Sequence, residues 1–237
     1  MIGIVLVSHS LKLAEAALEL AREMVPGDQP RVALAAGTGD GLIGTDATRV
    51  AAAIAEVASP DGVLVLMDLG SAVLSAELAL EFTGDVGGEV RLSSAPVVEG
   101  LLAAVVRAKG GATLDEADRE ARGALAGKES QLGTTPAPAV DATPPSADRA
   151  LIERFTIPNA EGLHARPASL IVSALAGLDA KVTVASGGKK PVDGRSPIGL
   201  MALGVRSGDE IIVTAEGAQA QDAIAAIRGL VADSFGE

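Results

Sequence analysis

The feature that most constrains this chain is a break in its pattern near the middle. Residues 134–147, TTPAPAVDATPPSA, carry four prolines, whose steps favour extended conformations, and no helical or strand periodicity. A stretch of this kind cannot run through a packed core, so the 237 residues are expected to fold as two separate bodies on either side of it. The expected division is a first domain over residues 1–127, a Pro/Ala/Thr-rich linker over 128–150, and a second domain over 151–237. Fully extended at ~3.1 Å per residue, that linker reaches about 70 Å.

Charge is distributed unequally over the three parts. Residues 1–127 hold 9 basic and 18 acidic side chains, residues 128–150 hold 2 and 3, and residues 151–237 hold 8 and 10. An acidic first half repels phosphate backbones, which argues against a nucleic-acid partner. Aromatic residues make up 1% of the chain, so base or sugar stacking on aromatic side chains is not expected. With no cysteine and only two histidines, disulfides, thiol chemistry and a His-rich metal site are not expected, and no cofactor is implied. The apolar run Ile2–Val7 is too short for a membrane span or a signal peptide, so a cytoplasmic location without membrane contact is expected.

Within residues 1–127, short apolar runs alternate with helix-period segments. Strands are expected at Ile2–Val7, Arg31–Ala36, Gly62–Met67 and, more weakly, Glu89–Leu92. Helices are expected over Leu11–Met24, Asp46–Ala58, from about Ser71 to Phe82, Val97–Lys109 and Leu114–Ala126, with Thr113 and Glu116 forming a capping box at the last. This order implies an α/β fold: a mainly parallel sheet with helices on both faces. In such sheets reactive groups gather at the carboxyl ends of strands. His9, just after the first strand, and Asp68, at the end of the third, therefore belong to one edge.

Residues 151–237 read differently. Strands Leu151–Ile157, Lys181–Ala185 and Glu210–Ala215 alternate with helices from His164 to about Ala176, from Ser196-Pro197 to about Leu203, and over Ala218–Val231, with a hairpin turn at GGKKPVDG. This is the pattern of an α+β open-faced sandwich.

Each histidine sits where a loop becomes a helix. Free backbone N–H groups and the positive end of the helix dipole make such a place a site for phosphate. A neutral imidazole is a nucleophile near pH 7, and its phosphorylated form is a donor. An ordinary exposed or capping histidine fits the same context, so position alone leaves the two readings level.

The string Gly162-Leu163-His164-Ala165-Arg166-Pro167-Ala168, followed by Arg195-Ser196-Pro197-Ile198-Gly199-Leu200-Met201, closely resembles the histidine-containing phosphocarrier (HPr) family of the phosphoenolpyruvate-dependent phosphotransferase system. The resemblance implies that His164 is phosphorylated on Nδ1 by Enzyme I and that Arg166 pairs with the phosphate. It places Ile198 and Met201 on an apolar docking face, where a plain core stripe is the competing reading. Ser196 aligns with a serine that is a regulatory phosphorylation site in some members, and a simple helix cap is the alternative. Pro197 departs from the bulkier apolar residue usual at that step.

The strings Val7-Ser8-His9-Ser10, Ile43-Gly44-Thr45-Asp46, Met67-Asp68-Leu69-Gly70-Ser71-Ala72 and Ala95-Pro96-Val97-Val98-Glu99-Gly100 resemble the mannose-type EIIA fold, and more closely the phosphotransferase subunits of bacterial dihydroxyacetone (glycerone) kinases, the DhaM family. Sugar-transporting members tend to read THG at the histidine, whereas this chain reads SHS. By this resemblance His9 accepts the phosphoryl group from His164, and Asp68 orients the imidazole. Ser71 and the loops Thr38–Gly39 and Gly44–Asp46, with Thr45, line the site. Ser8 and Ser10 either donate to phosphate or cap the following helix.

The implied activity is a phosphotransferase relay: Enzyme I, His164, His9, then ADP on a dihydroxyacetone kinase subunit. A homodimer through the first domain is also implied, as is an Enzyme I acting in trans. A sugar-uptake EIIA–HPr fusion and a regulatory module that docks according to its phosphorylation state are the alternatives.

Overall fold

The computed structural model describes residues 1–25, 27–38, 42–132 and 150–236. They fall into two compact units, Met1–Ala124 and Leu125–Glu237.

The first unit is built on four parallel strands, β1 (Gly3–Ser8), β2 (Val32–Ala36), β3 (Val63–Met67) and β4 (Val90–Ser93), in the order β2-β1-β3-β4. All six residues of β1 are buried, as expected for a strand covered on both faces. Helices α1 (Leu11–Met24), α2 (Ala47–Glu56), α3 (Gly70–Phe82), α4 (Val97–Lys109) and α5 (Leu114–Arg122) complete the unit. One core cluster joins Val5, Val7, Val63 and Val65 of the sheet to Val50 and Ile54 of α2 and to Ala72, Ala76 and Ala79 of α3. Helices α1 and α4 pack on each other and on the sheet, and α5 packs on α4. With so few aromatics, the interior is built from alanine and branched aliphatic side chains. Its small alanines let the helices lie close to the sheet.

Two expectations change at the end of this unit. The last helix stops at Arg122 rather than Ala126, because Gly123 ends it, its N–H bonding Arg119 O and Ala121 O. A separate helix, α6 (Ala126–Leu132), then occupies residues assigned from sequence to the first domain's end and the linker's start, and it belongs to the second unit. Residues 133–149 of the expected linker lie outside the described residues. The capping box of α5 is present in full, with Thr113 and Glu116 each bonding the other's backbone N–H.

The second unit continues with β5 (Leu151–Thr156), α7 (Ala165–Leu175), β6 (Lys181–Ser186), β7 (Val192–Asp193), α8 (Pro197–Ala202), β8 (Glu210–Glu216) and α9 (Ala220–Ala232). The strands form an antiparallel sheet in the order β5-β8-β6-β7. Along β8 buried and partly exposed residues alternate, so one face is packed and the other open. Helices α7 and α9 pack on each other, α9 contacts β5, β6 and β8, and α8 packs on α7.

Candidate functional site

The first candidate site arises from strand register. Val7 of β1 pairs with Met67 of β3, so the residues that follow leave the sheet side by side at its carboxyl edge. The chain goes from β1 to β2 on one side, while β3 lies on the other, which makes this a point where the strand order reverses and a crevice opens. His9 and Asp68 meet there.

Asp68 Oδ1 lies 2.9 Å from His9 Nδ1, and Asp68 Oδ2 accepts from the His9 backbone N–H at 2.8 Å. Ser8, itself fully buried, donates its hydroxyl to Asp68 Oδ2 at 2.9 Å. The Leu69 N–H donates to Oδ1 at 2.8 Å. Burial pushes the Asp68 carboxyl up, but the bonds from the His9 backbone, the His9 ring and Ser8 outweigh it and hold the group below the usual aspartate range. An ionised Asp68 can only accept, so Nδ1 of His9 carries a proton, and in the neutral ring Nε2 keeps its lone pair. Ser71 Oγ stands 2.9 Å from that Nε2. The His9 side chain is 20% exposed, so the ring is held on one side and open on the other.

Ser71 is the second residue of α3, whose N-cap, Leu69, supplies no side-chain cap. The helix start set against the reactive nitrogen is therefore that of α3. The start of α1, next to His9 in sequence, is closed by Ser10, whose hydroxyl accepts from Leu13 N–H and whose own N–H donates to Ser8 Oγ. Of the two readings of Ser10, the structure shows the cap. Thr45 makes its bond to Ser75 Oγ at 2.7 Å, not to His9. Ser75 is one turn beyond Ser71 on α3, and nothing local in the sequence pairs it with Thr45. Gly44 N–H donates to His9 O at 3.0 Å and ties the loop to the site, while Asp46 caps α2. Thr38 bonds Leu42 O, and Gly39 lies outside the described residues. Leu42, Ile43 and Leu69, flanking these loops, are exposed apolar side chains that the sequence did not single out.

The second candidate site is the start of α7. His164 is the N-cap residue, with extended backbone and no side-chain cap at that helix start, and its side chain is 30% exposed. The amides of Ala165 and Arg166 lie in the first turn, where no intrahelical partner exists. Arg166 is exposed and makes no bond among the described residues. Glu161 Oε2 lies 4.0 Å from His164 Nε2. Gly162 (φ +71) fixes the approach: a Cβ there would sit 2.0 Å from Val205 O, and Leu163 N–H donates to that same carbonyl. Ser196 caps α8 by accepting from Gly199 N–H at 2.8 Å and is buried, which fits the capping reading. Ile198 is buried and Met201 is half-buried.

Comparison with known proteins matches residues 3–118 to the family described as "PTS system fructose IIA component" and residues 152–233 to "PTS HPr component phosphorylation site". A relative from Listeria innocua, "PEP-dependent dihydroxyacetone kinase 2, phosphoryl donor subunit DhaM", is 43% identical over 108 residues, 45% of this chain and 86% of its own length. The chain belongs to the DhaM family. The DhaM protein of Pantoea ananatis is 46% identical over the whole of this chain and 51% of its own length, so the chain spans about half the length of such relatives. Among solved structures, HPr-C-His from Thermoanaerobacter tengcongensis is 36% identical, covers 37% of this chain and 97% of its own, and has a TM-score of 0.35. This DhaM-family chain thus joins an EIIA-type unit, whose histidine lies against the start of α3, to an HPr-type unit, whose histidine is the N-cap of α7, and neither helix start has a side-chain cap. Among the described residues, no helix is long and apolar enough to cross a membrane.

Proposed function

We propose that this chain relays a phosphoryl group from Enzyme I to His164, from His164 to His9, and from His9 to ADP held on a dihydroxyacetone kinase subunit. The observation that carries the reading is the arrangement of Asp68, His9 and Ser71, which commits Nδ1 of His9 to a carboxylate and presents Nε2 as the nucleophile.

The lone pair of His9 Nε2 attacks the phosphorus of phospho-His164. A new N–P bond forms as the bond to Nδ1 of His164 breaks, and the electron pair returns to the His164 ring. Asp68 stabilises the cationic ring of phospho-His9 through Nδ1–H. Ser71 turns its hydroxyl from Nε2 to a phosphate oxygen, and the open first turn of α3 offers backbone N–H groups to the same anion. At His164, Arg166 and the first turn of α7 do the equivalent work. In the last step a terminal phosphate oxygen of ADP attacks the phosphorus and the bond to Nε2 breaks. Two anions then meet beside an acidic unit, so the kinase subunit brings the divalent metal or basic groups between them. Leu42, Ile43 and Leu69 give that partner an apolar rim to dock on. A homodimer through the first unit belongs to the same reading, and Leu74, Leu78 and Phe82 form an exposed apolar stripe on α3 at helical spacing that suits it.

The relatives named as phosphoryl donor subunits support the kinase acceptor over a sugar permease. The test is loss of label from phospho-His9 with ADP-loaded kinase subunit and Mg²⁺, with free ADP, and with a mannose-type EIIB. Rapid loss to the loaded subunit alone is expected. Transfer to the EIIB and none to the subunit would make sugar uptake the function, and transfer to neither would favour a regulatory module.

A further inference from the structure

Helix α6 lies on α8 within the second unit. The contact is close at Gly127, where a Cβ would stand 3.9 Å from Met201 Cβ. Ala126 is buried on the same short helix, whereas Lys128 and Gln131 are exposed, so its small-residue side is the one turned inward. On α8, Pro197 is buried and Ile198 is 6% exposed. A face that receives a partner protein has to be open; here Ile198 is buried, Met201 is half-buried, and α6 lies against α8. The His164 ring, in contrast, keeps 30% of its side-chain surface exposed.

We propose that α6 is a built-in latch, seated on the face of α8 that the protein donor of His164 needs, and that docking requires α6 to leave. The inference rests on the reading of Ile198 and Met201 as docking residues. A seven-residue helix is too short to hold its shape alone, so α6 owes its order to this contact. Releasing it gives up the contact of α6 with α8. The donor then meets a fraction of open chains, and its apparent affinity is reduced by that fraction. Small phosphoryl donors, which need no docking face, are indifferent to the latch.

The chain contains no cysteine, and the 3.9 Å spacing lies within the ~3.5–4.5 Å range of disulfide-bonded Cβ atoms. The double variant Gly127→Cys/Met201→Cys should therefore cross-link on oxidation. With phosphoenolpyruvate and Enzyme I, the oxidised chain should be labelled on His164 at least tenfold more slowly than the same protein reduced. Phosphoramidate should label both forms equally. Gly127→Phe, which keeps Met201 and wedges α6 away, should be labelled several-fold faster than wild type and decides the matter if the reduced double variant docks poorly. Failure of the disulfide to form, equal Enzyme I rates in the two redox forms, or an unchanged Gly127→Phe rate would overturn the latch. If Enzyme I does not label the wild-type chain, the donor assignment itself fails and the latch with it.

Discussion

At the scale of the residue, the chemistry rests on which nitrogen of His9 is free. Hydrogen bonds to a charged group contribute about 1.5–3 kcal/mol, so Asp68→Asn should slow transfer onto His9 by roughly 10- to 150-fold. Phosphorylation of His164 should be untouched, and quench-flow with separate detection of the two sites distinguishes the effects. The same carboxylate makes a signed prediction about pH. Its folded pKa is lowered relative to an unfolded aspartate. Its contribution to stability is therefore complete above the unfolded value of about 4 and is lost as pH falls through the lowered folded value. Urea unfolding at pH 6 and pH 3 should show a larger loss for wild type than for Asp68→Asn; equal losses would remove Asp68 from the account. That His9 and Asp68 share one edge is legible in the sequence because both follow buried runs whose strands end there, whereas their pairing is implied only by the family resemblance. The bond from Thr45 to Ser75 is not legible, since it joins a loop to helix α3 across 30 residues with no periodic signal.

At the scale of the element, buried strands announce themselves and helix ends do not. The runs at β1 and β3 are continuous and apolar because the sheet is covered on both faces, and the observed spans differ from expectation by a residue. The apolar spacing of α5 continues past Gly123 into α6, so the pattern cannot show that one helix has become two. Which helix start, that of α1 or that of α3, lies against His9 Nε2 is also hidden, because Ser10 and Ser71 are both serines near a helix start and only the tertiary fold turns Ser71 onto Nε2. Gly162 shows the reverse case, where one glycine reports a tertiary approach. Its φ of +71 and the 2.0 Å from its missing Cβ to Val205 O make Gly162→Ala strained on two counts. That substitution should cost at least ~1 kcal/mol of the second unit's stability and displace His164, lowering labelling by Enzyme I. Chemical denaturation and the labelling rate check both parts, and a variant with full labelling would show that the loop tolerates the shift.

At the scale of the whole molecule, the proposed relay replaces an encounter by a tethered exchange if His164 hands its phosphoryl group to His9 of the same chain. Residues 134–147 hold four prolines and no periodic pattern, and a covalent link between two units raises the concentration of one around the other to about the millimolar range. Cleavage near Ala142 should therefore leave both units folded and make transfer from His164 to His9 slow down on dilution, while the intact chain is unaffected. An intact chain that slows in proportion to dilution would show transfer between chains. The division into two units was legible from the loss of periodicity, but the position of α6 was not, because its partner α8 lies some seventy residues further along the chain. The order of the relay is checked by mass spectrometry of two variants incubated with Enzyme I and phosphoenolpyruvate. With no separate HPr present, His9→Ala should carry phosphate on His164, and His164→Ala should carry none anywhere; normal labelling of His9 in His164→Ala would contradict the account.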